Sequence, residues 1–166
     1  GDVGGGVVMN AGVSEARHPR EFGELVDWVE VLRWHEGKSQ KIKIEKAKLH
    51  WSYRHSEGWQ PGVIVQVGIS WPNQPEAQMA EKVREVNKLR LIKQPLDKPS
   101  GGSVFKNPHP HSAGALIDRC GLKGLSVGGA QVSERHANFI VNFNHASAQD
   151  IHQLIHQVRD AVKKRF

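Results

Sequence analysis

The sequence feature that most constrains the fold is a change of hydrophobic periodicity along the chain. Apolar and polar residues alternate in Val26–Trp34, in Lys41–Lys48 and in Val63–Trp71, which is the period of a β-strand. From Glu76 to Leu91 the apolar residues instead recur at helical spacing. The first 92 residues are therefore predicted to form mostly strands and to end in one helix.

A second series of elements follows a long irregular segment, Lys93–His111. This segment contains four prolines and two glycines, and ordered loops of this length usually have a function. Beyond it we predict a short helix with Ser112 as N-cap, ended by Gly121. Two short strands are predicted next, around Leu125–Val127 and Phe139–Phe143.

The last predicted element is an amphipathic helix from Ala148 to about Lys164, with Ser147 as N-cap. The predicted order is strands, a helix and a loop, followed by a helix, strands and a helix. This order predicts an α+β fold rather than a regular βαβ series. We place a domain boundary near residue 92, between a strand-rich part (1–92) and a mixed part (93–166).

Composition and charge narrow the class of protein. The chain carries a net charge of +6, which suits nucleic acid, a membrane surface or an anionic small ligand. Its basic residues are scattered and no basic block is interleaved with aromatic residues, which argues against nucleic acid. No apolar run is long enough for a membrane span. The single cysteine, Cys120, favours a reducing compartment and hence the cytoplasm.

The glycine-rich opening, GDVGGGVVMNAG, is the first candidate site. Apolar residues interrupt the glycines, so we predict a buried turn at which the backbone passes close to another group. The segment has neither the dinucleotide fingerprint nor a P-loop. A structural turn and a cofactor cradle both remain open.

Two further segments have the chemistry to bind an anion. In Tyr53-Arg54 the guanidinium suits a carboxylate or a phosphate, although a lone arginine is more often a surface residue. In the loop PSGGSVFKNP, Ser103, Lys106 and Asn107 bring a hydroxyl, a cation and an amide to one loop. The loop lacks the GxSxG elbow, so a hydrolase triad is not predicted.

The segment from Gly121 to Asn142 is the fourth candidate. Gly128-Gly129 indicates close packing or a close ligand, and Glu134 and His136 either reach a site or form a polar turn. The ten histidines are dispersed, and their spacing predicts no metal site.

Several uncommon strings, in this order, resemble the motifs of one enzyme family, the UDP-N-acetylenolpyruvoylglucosamine reductases. Only 47 residues separate Arg54 from Gly102, so the chain is similar to the shorter variant of the family. The matching strings are GDVGGGVVMNAG, YRHS, PSGGSVFKNP, AGALIDRCGLKG, GGAQVS and HANFIVN.

The resemblance implies an NADPH-dependent flavoprotein oxidoreductase of peptidoglycan precursor synthesis, in which FAD passes hydride to a UDP-sugar enolpyruvyl ether. By motif matching, Ser103 is the proton donor and Arg54 holds the substrate carboxylate. The residues implied to place the substrate are Tyr53, Lys106, Asn107 and His136, and those implied to lie against FAD are Gly4, Gly5, Gly6 and Asn10. Residues 1–92 would then be the remainder of an FAD-binding lobe, and 93–166 a substrate-binding domain.

The resemblance also implies that a first FAD-binding lobe and a last segment with an acidic residue lie outside this chain. Two alternatives stay open: a different flavin oxidoreductase on a related scaffold, and an inactive fragment that acts only as a binding module. No oligomeric state is predicted.

Overall fold

The structure, a computed structural model, describes residues 2–12, 21–71 and 77–166. The chain divides into two compact units, residues 1–75 and 76–166. Both units combine helices with antiparallel strands, which confirms the predicted α+β class. The predicted boundary near residue 92 falls at the end of a helix in the second unit, and the domain roles given to the two parts stay predictions.

The first unit is built on a three-stranded antiparallel sheet in the order β2-β1-β5, accompanied by a small hairpin of β3 and β4. Its core consists of Val7, Val26, Val29, Val31, Ile44 and Leu49. The elements are α1 (Val3–Val8), α2 (Phe22–Leu25), β1 (Val26–His35), β2 (Lys38–Glu45), β3 (His50–Ser52), β4 (His55–Glu57) and β5 (Val63–Ile69).

The strands predicted from alternation are confirmed for β1 and β5, and β2 lies a few residues earlier than predicted. Residues Lys46–Lys48, which were assigned to that strand, form a 3₁₀ turn. The buried turn predicted for the glycine segment is wrong, because Val3–Val8 is a helix. Burial of Val7, which is 0% exposed, stabilises this helix against the low helical propensity of its glycines.

The second unit has a four-stranded antiparallel sheet in the order β6-β9-β8-β7. Its core lies between this sheet and two helices, and includes Ile117, Val132, Ile140, Leu154 and Val158. The elements are α3 (Met79–Lys93), β6 (Ser100–Ser103), α4 (Ala113–Arg119), β7 (Ser126–Val127), β8 (Ala130–Val132), β9 (Phe139–Asn142) and α5 (Ala148–Arg165).

The two N-caps predicted for the helices of this unit are confirmed. Ser112 Oγ accepts from the backbone N–H of Ala115 at 3.1 Å, and Ser147 Oγ accepts from that of Asp150 at 3.1 Å. Gly121, at the end of α4, has a φ of +71°, in the left-handed region that glycine adopts readily. Local sequence signals therefore fix where these helices begin and end.

Strands β6 and β8 and the exposure of α3 differ from the sequence prediction. Residues 100–103 were assigned to an irregular loop, and no strand was predicted at 130–132. The apolar residues of α3 recur at the predicted helical spacing, yet none of its residues is buried. Among the described residues, no helix has the length and apolar character needed to cross a membrane.

Candidate functional site

Arg54 lies in the turn between β3 and β4, where its backbone adopts a φ of +56°. Its Nη1 donates to the carbonyl of Asn10 and to Glu21 Oε1, both at 3.3 Å, and its Nη2 donates to the carbonyl of Gly12 at 3.0 Å. The guanidinium also lies over the Tyr53 ring, 4.9 Å from its centroid. The side chain is 28% exposed, so the guanidinium is fixed at the surface of the first unit in an ion pair with the Glu21 carboxylate.

Asn10 holds the segments around Arg54 together. It is 1% exposed, and its Nδ2 donates to Glu21 Oε2 at 2.8 Å and to the carbonyl of Ser52 at 3.0 Å. Its Oδ1 accepts from the backbone N–H of Gly23 at 2.9 Å. Asn10 therefore anchors the Arg54 turn and the Glu21 carboxylate against the end of α1.

The three glycines predicted to lie against FAD belong to α1. A Cβ at Gly6 would lie 2.8 Å from the Phe22 ring, and one at Gly4 would lie 3.5 Å from the carbonyl of Ile64. Internal packing thus accounts for Gly6. At Gly5 a Cβ would meet no atom of the described residues within 4 Å, so this side of the helix is open.

Ser103 ends strand β6, opposite Phe139 of β9. The register shifts between Ser100 and Ser103, and Gly102 has a φ of +84°. Such a bulge redirects side chains at the end of a strand. The Ser103 side chain is exposed at this point.

Asn138, for which no role was predicted, fixes the segment that follows Ser103. Its carbonyl accepts from the backbone N–H of Val104, and its Oδ1 accepts from that of Phe105, both at 2.9 Å. Its Nδ2 donates to the carbonyl of Phe105, also at 2.9 Å. Asn138 is 3% exposed. Its buried side chain therefore provides the loop with the hydrogen bonds that a neighbouring strand would otherwise provide.

Lys106 and Asn107 follow on the same loop. Asn107 Oδ1 accepts from the backbone N–H of Ala113 at 2.9 Å, which ties the loop to the start of α4. Both residues line a cavity of about 380 Å³ between this loop, α4 and α5. Phe105, Pro108, Leu116, Ile117, Val158 and Val162 give it apolar walls, and Lys106, Arg159 and Lys163 are its cationic residues.

His136 packs against the Phe139 ring, with 4.8 Å between the ring centroids. Burial lowers the pKa of His136, and the positive charge of Lys123 lowers it further. Its Nδ1 accepts from the backbone N–H of Asn138 at 3.2 Å, which places the imidazole proton on Nε2. His136 is therefore a neutral hydrogen-bond donor at neutral pH.

The Gly128-Gly129 pair serves close packing, one of the two predicted readings. A Cβ at Gly129 would lie 2.0 Å from the carbonyl of Asn144, and one at Gly128 would lie 2.4 Å from the Asp150 carboxylate. Hydrogen bonds from the backbone and hydroxyl of Ser147 and from the backbone of Gly129 lower the pKa of Asp150. The carboxylate thus joins the hairpin turn to the start of α5.

The structure places the predicted site residues in two groups. Tyr53, Arg54 and Asn10 belong to the first unit, with Glu21 as a partner that the sequence analysis missed. Ser103, Lys106, Asn107 and His136 belong to the second unit, where Asn138 connects the loop of Ser103 with His136. Among the described residues, no group of three or more His, Cys, Asp or Glu side chains could hold a metal ion.

Comparison with known proteins gives a consistent set of similarities. Residues 94–166 match the family described as UDP-N-acetylenolpyruvoylglucosamine reductase, C-terminal domain. The UDP-N-acetylenolpyruvoylglucosamine reductase of Chloroherpeton thalassium is 41% identical over 174 residues, covering 100% of this chain and 53% of the relative. The protein of the same name from Clostridium beijerinckii is 40% identical over 168 residues, again with 100% and 53% covered.

A solved structure is similar as well. The crystal structure of UDP-N-acetylenolpyruvylglucosamine reductase from Thermus caldophilus has a TM-score of 0.79 at 37% identity, and the match covers 95% of this chain and 56% of that one. The chain spans about half the length of the curated relatives it matches. These similarities confirm the resemblance that the sequence motifs indicated.

Proposed function

Because residues 94–166 match the family of the C-terminal domain of UDP-N-acetylenolpyruvoylglucosamine reductases, we propose that the protein containing this chain is such a reductase. It converts the enolpyruvyl ether of UDP-N-acetylglucosamine to the lactyl ether of UDP-N-acetylmuramate, a step of peptidoglycan precursor synthesis. The observation that carries the proposal is similarity along the whole chain, across both groups of candidate residues. We place the reaction in the cytoplasm, where the UDP-sugar substrate and NADPH would be available.

The first unit offers one surface that fits a flavin. Gly5 is open on its outer side, and Val8 and Met9, three and four residues on, are 46% and 47% exposed. Residues at these spacings share one face of a helix, and an apolar face without a Cβ at its centre suits a flat ring. We assign the FAD contact of this surface to the backbone of Gly5, and the contacts that motif matching implies for Gly4, Gly6 and Asn10 stay predictions. FAD, reduced by NADPH, would supply the hydride.

Arg54 stabilises negative charge on the substrate. When hydride arrives at the terminal vinyl carbon, charge develops on the neighbouring carbon and its carboxylate. A cation that is already fixed when the charge appears lowers the barrier most effectively. Hydrogen bonds to the carbonyls of Asn10 and Gly12 fix the Arg54 guanidinium, and the Tyr53 ring lies under it.

Ser103 delivers the proton to the carbon next to the carboxylate. A serine hydroxyl is a weak acid, so a nearby cation or a water must stabilise the alkoxide as the proton leaves. Lys106, on the same anchored loop, is the candidate cation. Lys106 and Asn107 also bind the anionic part of the substrate, and neutral His136 donates from Nε2 to a polar group near the nucleotide.

The test is Ser103→Ala in the complete protein, with Ser100→Ala as the matched control. Both serines are exposed in β6, but only Ser103 has the proposed role. We expect Ser103→Ala to lower substrate reduction by about 10²–10⁴-fold, the usual contribution of a general acid. NADPH oxidation by the flavin should persist in both variants.

Normal turnover of the UDP-sugar by Ser103→Ala would contradict the assignment of Ser103. A separate measurement addresses the family-level proposal: titration of the flavin-loaded complete protein with the UDP-sugar, followed by the flavin spectrum. A spectral change is expected on binding. Its absence would favour another flavin oxidoreductase.

A further inference from the structure

Two histidines of α5 form a pair that the proposed reductase function does not use. His152 and His156 are four residues apart, so they share one face of the helix. Their Nε2 atoms share a hydrogen bond of 3.0 Å, and the ring centroids are 4.3 Å apart. We propose that this pair is a binding site for a divalent late transition metal, Cu²⁺ above all and Ni²⁺ next.

In the metal-free structure the 3.0 Å separation of the two nitrogens is that of a hydrogen bond between the rings, and two adjacent ligands of one metal can keep the same separation. With metal–nitrogen bonds of about 2.0–2.1 Å, a nitrogen separation of 3.0 Å gives a nitrogen–metal–nitrogen angle of about 91–97°. This is the angle between adjacent ligands in square-planar and octahedral complexes. A tetrahedral zinc site would need the nitrogens about 3.3–3.4 Å apart.

The ligand type favours copper and nickel among the divalent metals. Imidazole suits copper, nickel and zinc, and affinity for divalent metals rises to Cu²⁺ and then falls for Zn²⁺. Tetragonal nitrogen and oxygen sites are typical of Cu²⁺ and Ni²⁺. The two histidines would occupy adjacent positions, and water would complete the coordination.

The helix under the pair is rigidly held. Leu154 and Val158, on its inner face, are 0% and 1% exposed, and a capping box of Ser147 and Asp150 fixes its start. His152 is exposed and His156 half-buried. A site on a packed helix loses little freedom when the metal binds, which favours affinity.

Arg159 opposes metal binding at His156, because it stabilises the tautomer whose proton is on Nε2. Its Nη2 lies 2.8 Å from His156 Nδ1, and because a guanidinium can only donate, Nδ1 accepts and the proton is on Nε2. A metal at Nε2 requires that proton to move to Nδ1, which breaks the bond to Arg159. Arg159 is 54% exposed and also bonds Asp160, so it can turn away.

The experiment is a Cu²⁺ titration of the whole chain by calorimetry at neutral pH, with glycine as a competing chelator. Variants His152→Gln and His156→Gln are compared with His35→Gln, a control for an exposed histidine elsewhere. We expect each variant of the pair to weaken binding by at least about tenfold, since even changes to outer partners of metal ligands cost 10–100-fold. The control should bind like the unchanged chain.

Two further measurements make the outcome decisive. Arg159→Ala should bind Cu²⁺ more tightly than the unchanged chain, and the electron paramagnetic resonance spectrum of the copper complex should show coupling to two equivalent nitrogens. Unchanged affinity in both His152→Gln and His156→Gln would overturn the proposal. Weaker binding in Arg159→Ala would also contradict it, because the competition for His156 predicts the opposite.

Discussion

Among single residues, Asn138 positions part of the candidate site of the second unit. Its side chain accepts from the backbone N–H of Phe105 and donates to the carbonyl of the same residue. The buried side-chain amide of Asn138 thus pairs with both the backbone N–H and the C=O of Phe105, as a neighbouring strand would. The position of the loop from Ser103 to Asn107 therefore depends on a residue outside that loop.

We predict that Asn138→Ala lowers the free energy of unfolding by about 1–3 kcal/mol, because it leaves hydrogen-bonding groups of Phe105 unsatisfied. Chemical denaturation of the whole chain measures the effect. Asn144→Ala is the matched control, since Asn144 is an exposed asparagine of the same unit. Equal stability of Asn138→Ala and the control would show that the amide does not hold the loop.

Residues whose side chains hydrogen-bond to near neighbours in the sequence were easier to predict than residues whose partners are distant in the sequence. The Ser112 and Ser147 caps follow from neighbours three residues away. Glu21 was missed because its partner Arg54 is 33 residues away, and Asn138 because its contact with Phe105 spans the same distance. No local pattern records such pairs, although a polar residue between apolar ones, as in HANFIV, is a weak signal for a buried amide.

Among whole elements, the 15-residue helix α3 has little packing support. It has no buried residue, but Arg135 Nη1 donates to the carbonyls of Leu91 and Gln94 at its end, at 3.2 and 3.0 Å. The same nitrogen is 2.9 Å from Asp97 Oδ1. A single side chain thus joins the end of this helix to the turn before β9.

We predict that Arg135→Ala increases amide hydrogen exchange across residues 79–97 and leaves exchange in α5 unchanged, because segments with few buried contacts open locally. The measurement is exchange followed by mass spectrometry or nuclear magnetic resonance. Arg84→Ala, an exposed change on α3 itself, should have no effect. Faster exchange in α5 as well would mean that Arg135 stabilises the whole unit.

Element types were predicted well where periodicity and caps agree, and poorly where packing decides. The long strands β1 and β5 and the helices α4 and α5 follow from their local patterns. Helix α1 does not, because its glycines favour a turn until Val7 is buried. Strand β8 has three residues, and β6 contains two glycines, so both exist mainly because β9 pairs with them.

At the scale of the whole molecule, each unit has a core of its own. The buried cluster of the second unit contains only residues between Ile117 and Val158, and that of the first unit only residues between Val7 and Leu49. A separate core is the main requirement for independent folding.

We predict that residues 77–166, produced alone, fold cooperatively with a single thermal transition and a well-dispersed amide spectrum. Residues 77–166 with Leu154→Ala are the control, and should lose about 2–5 kcal/mol because the side chain is 0% exposed. A spectrum of an unfolded chain for the unaltered segment would mean that its core needs the first unit.

The left-handed backbone conformation of Arg54 bears on which residues a screen for stability and a screen for turnover would select at this position. Glycine and asparagine adopt such a φ at lower cost than arginine, but they lose the hydrogen bonds of the guanidinium, so a screen for thermal stability alone would be expected to retain Arg54 only weakly. The proposed charge-stabilising role requires the guanidinium, so a screen for turnover would be expected to keep it. A weak preference for arginine in the first screen and a strong one in the second would mark Arg54 as a position where conformational strain is tolerated for catalysis.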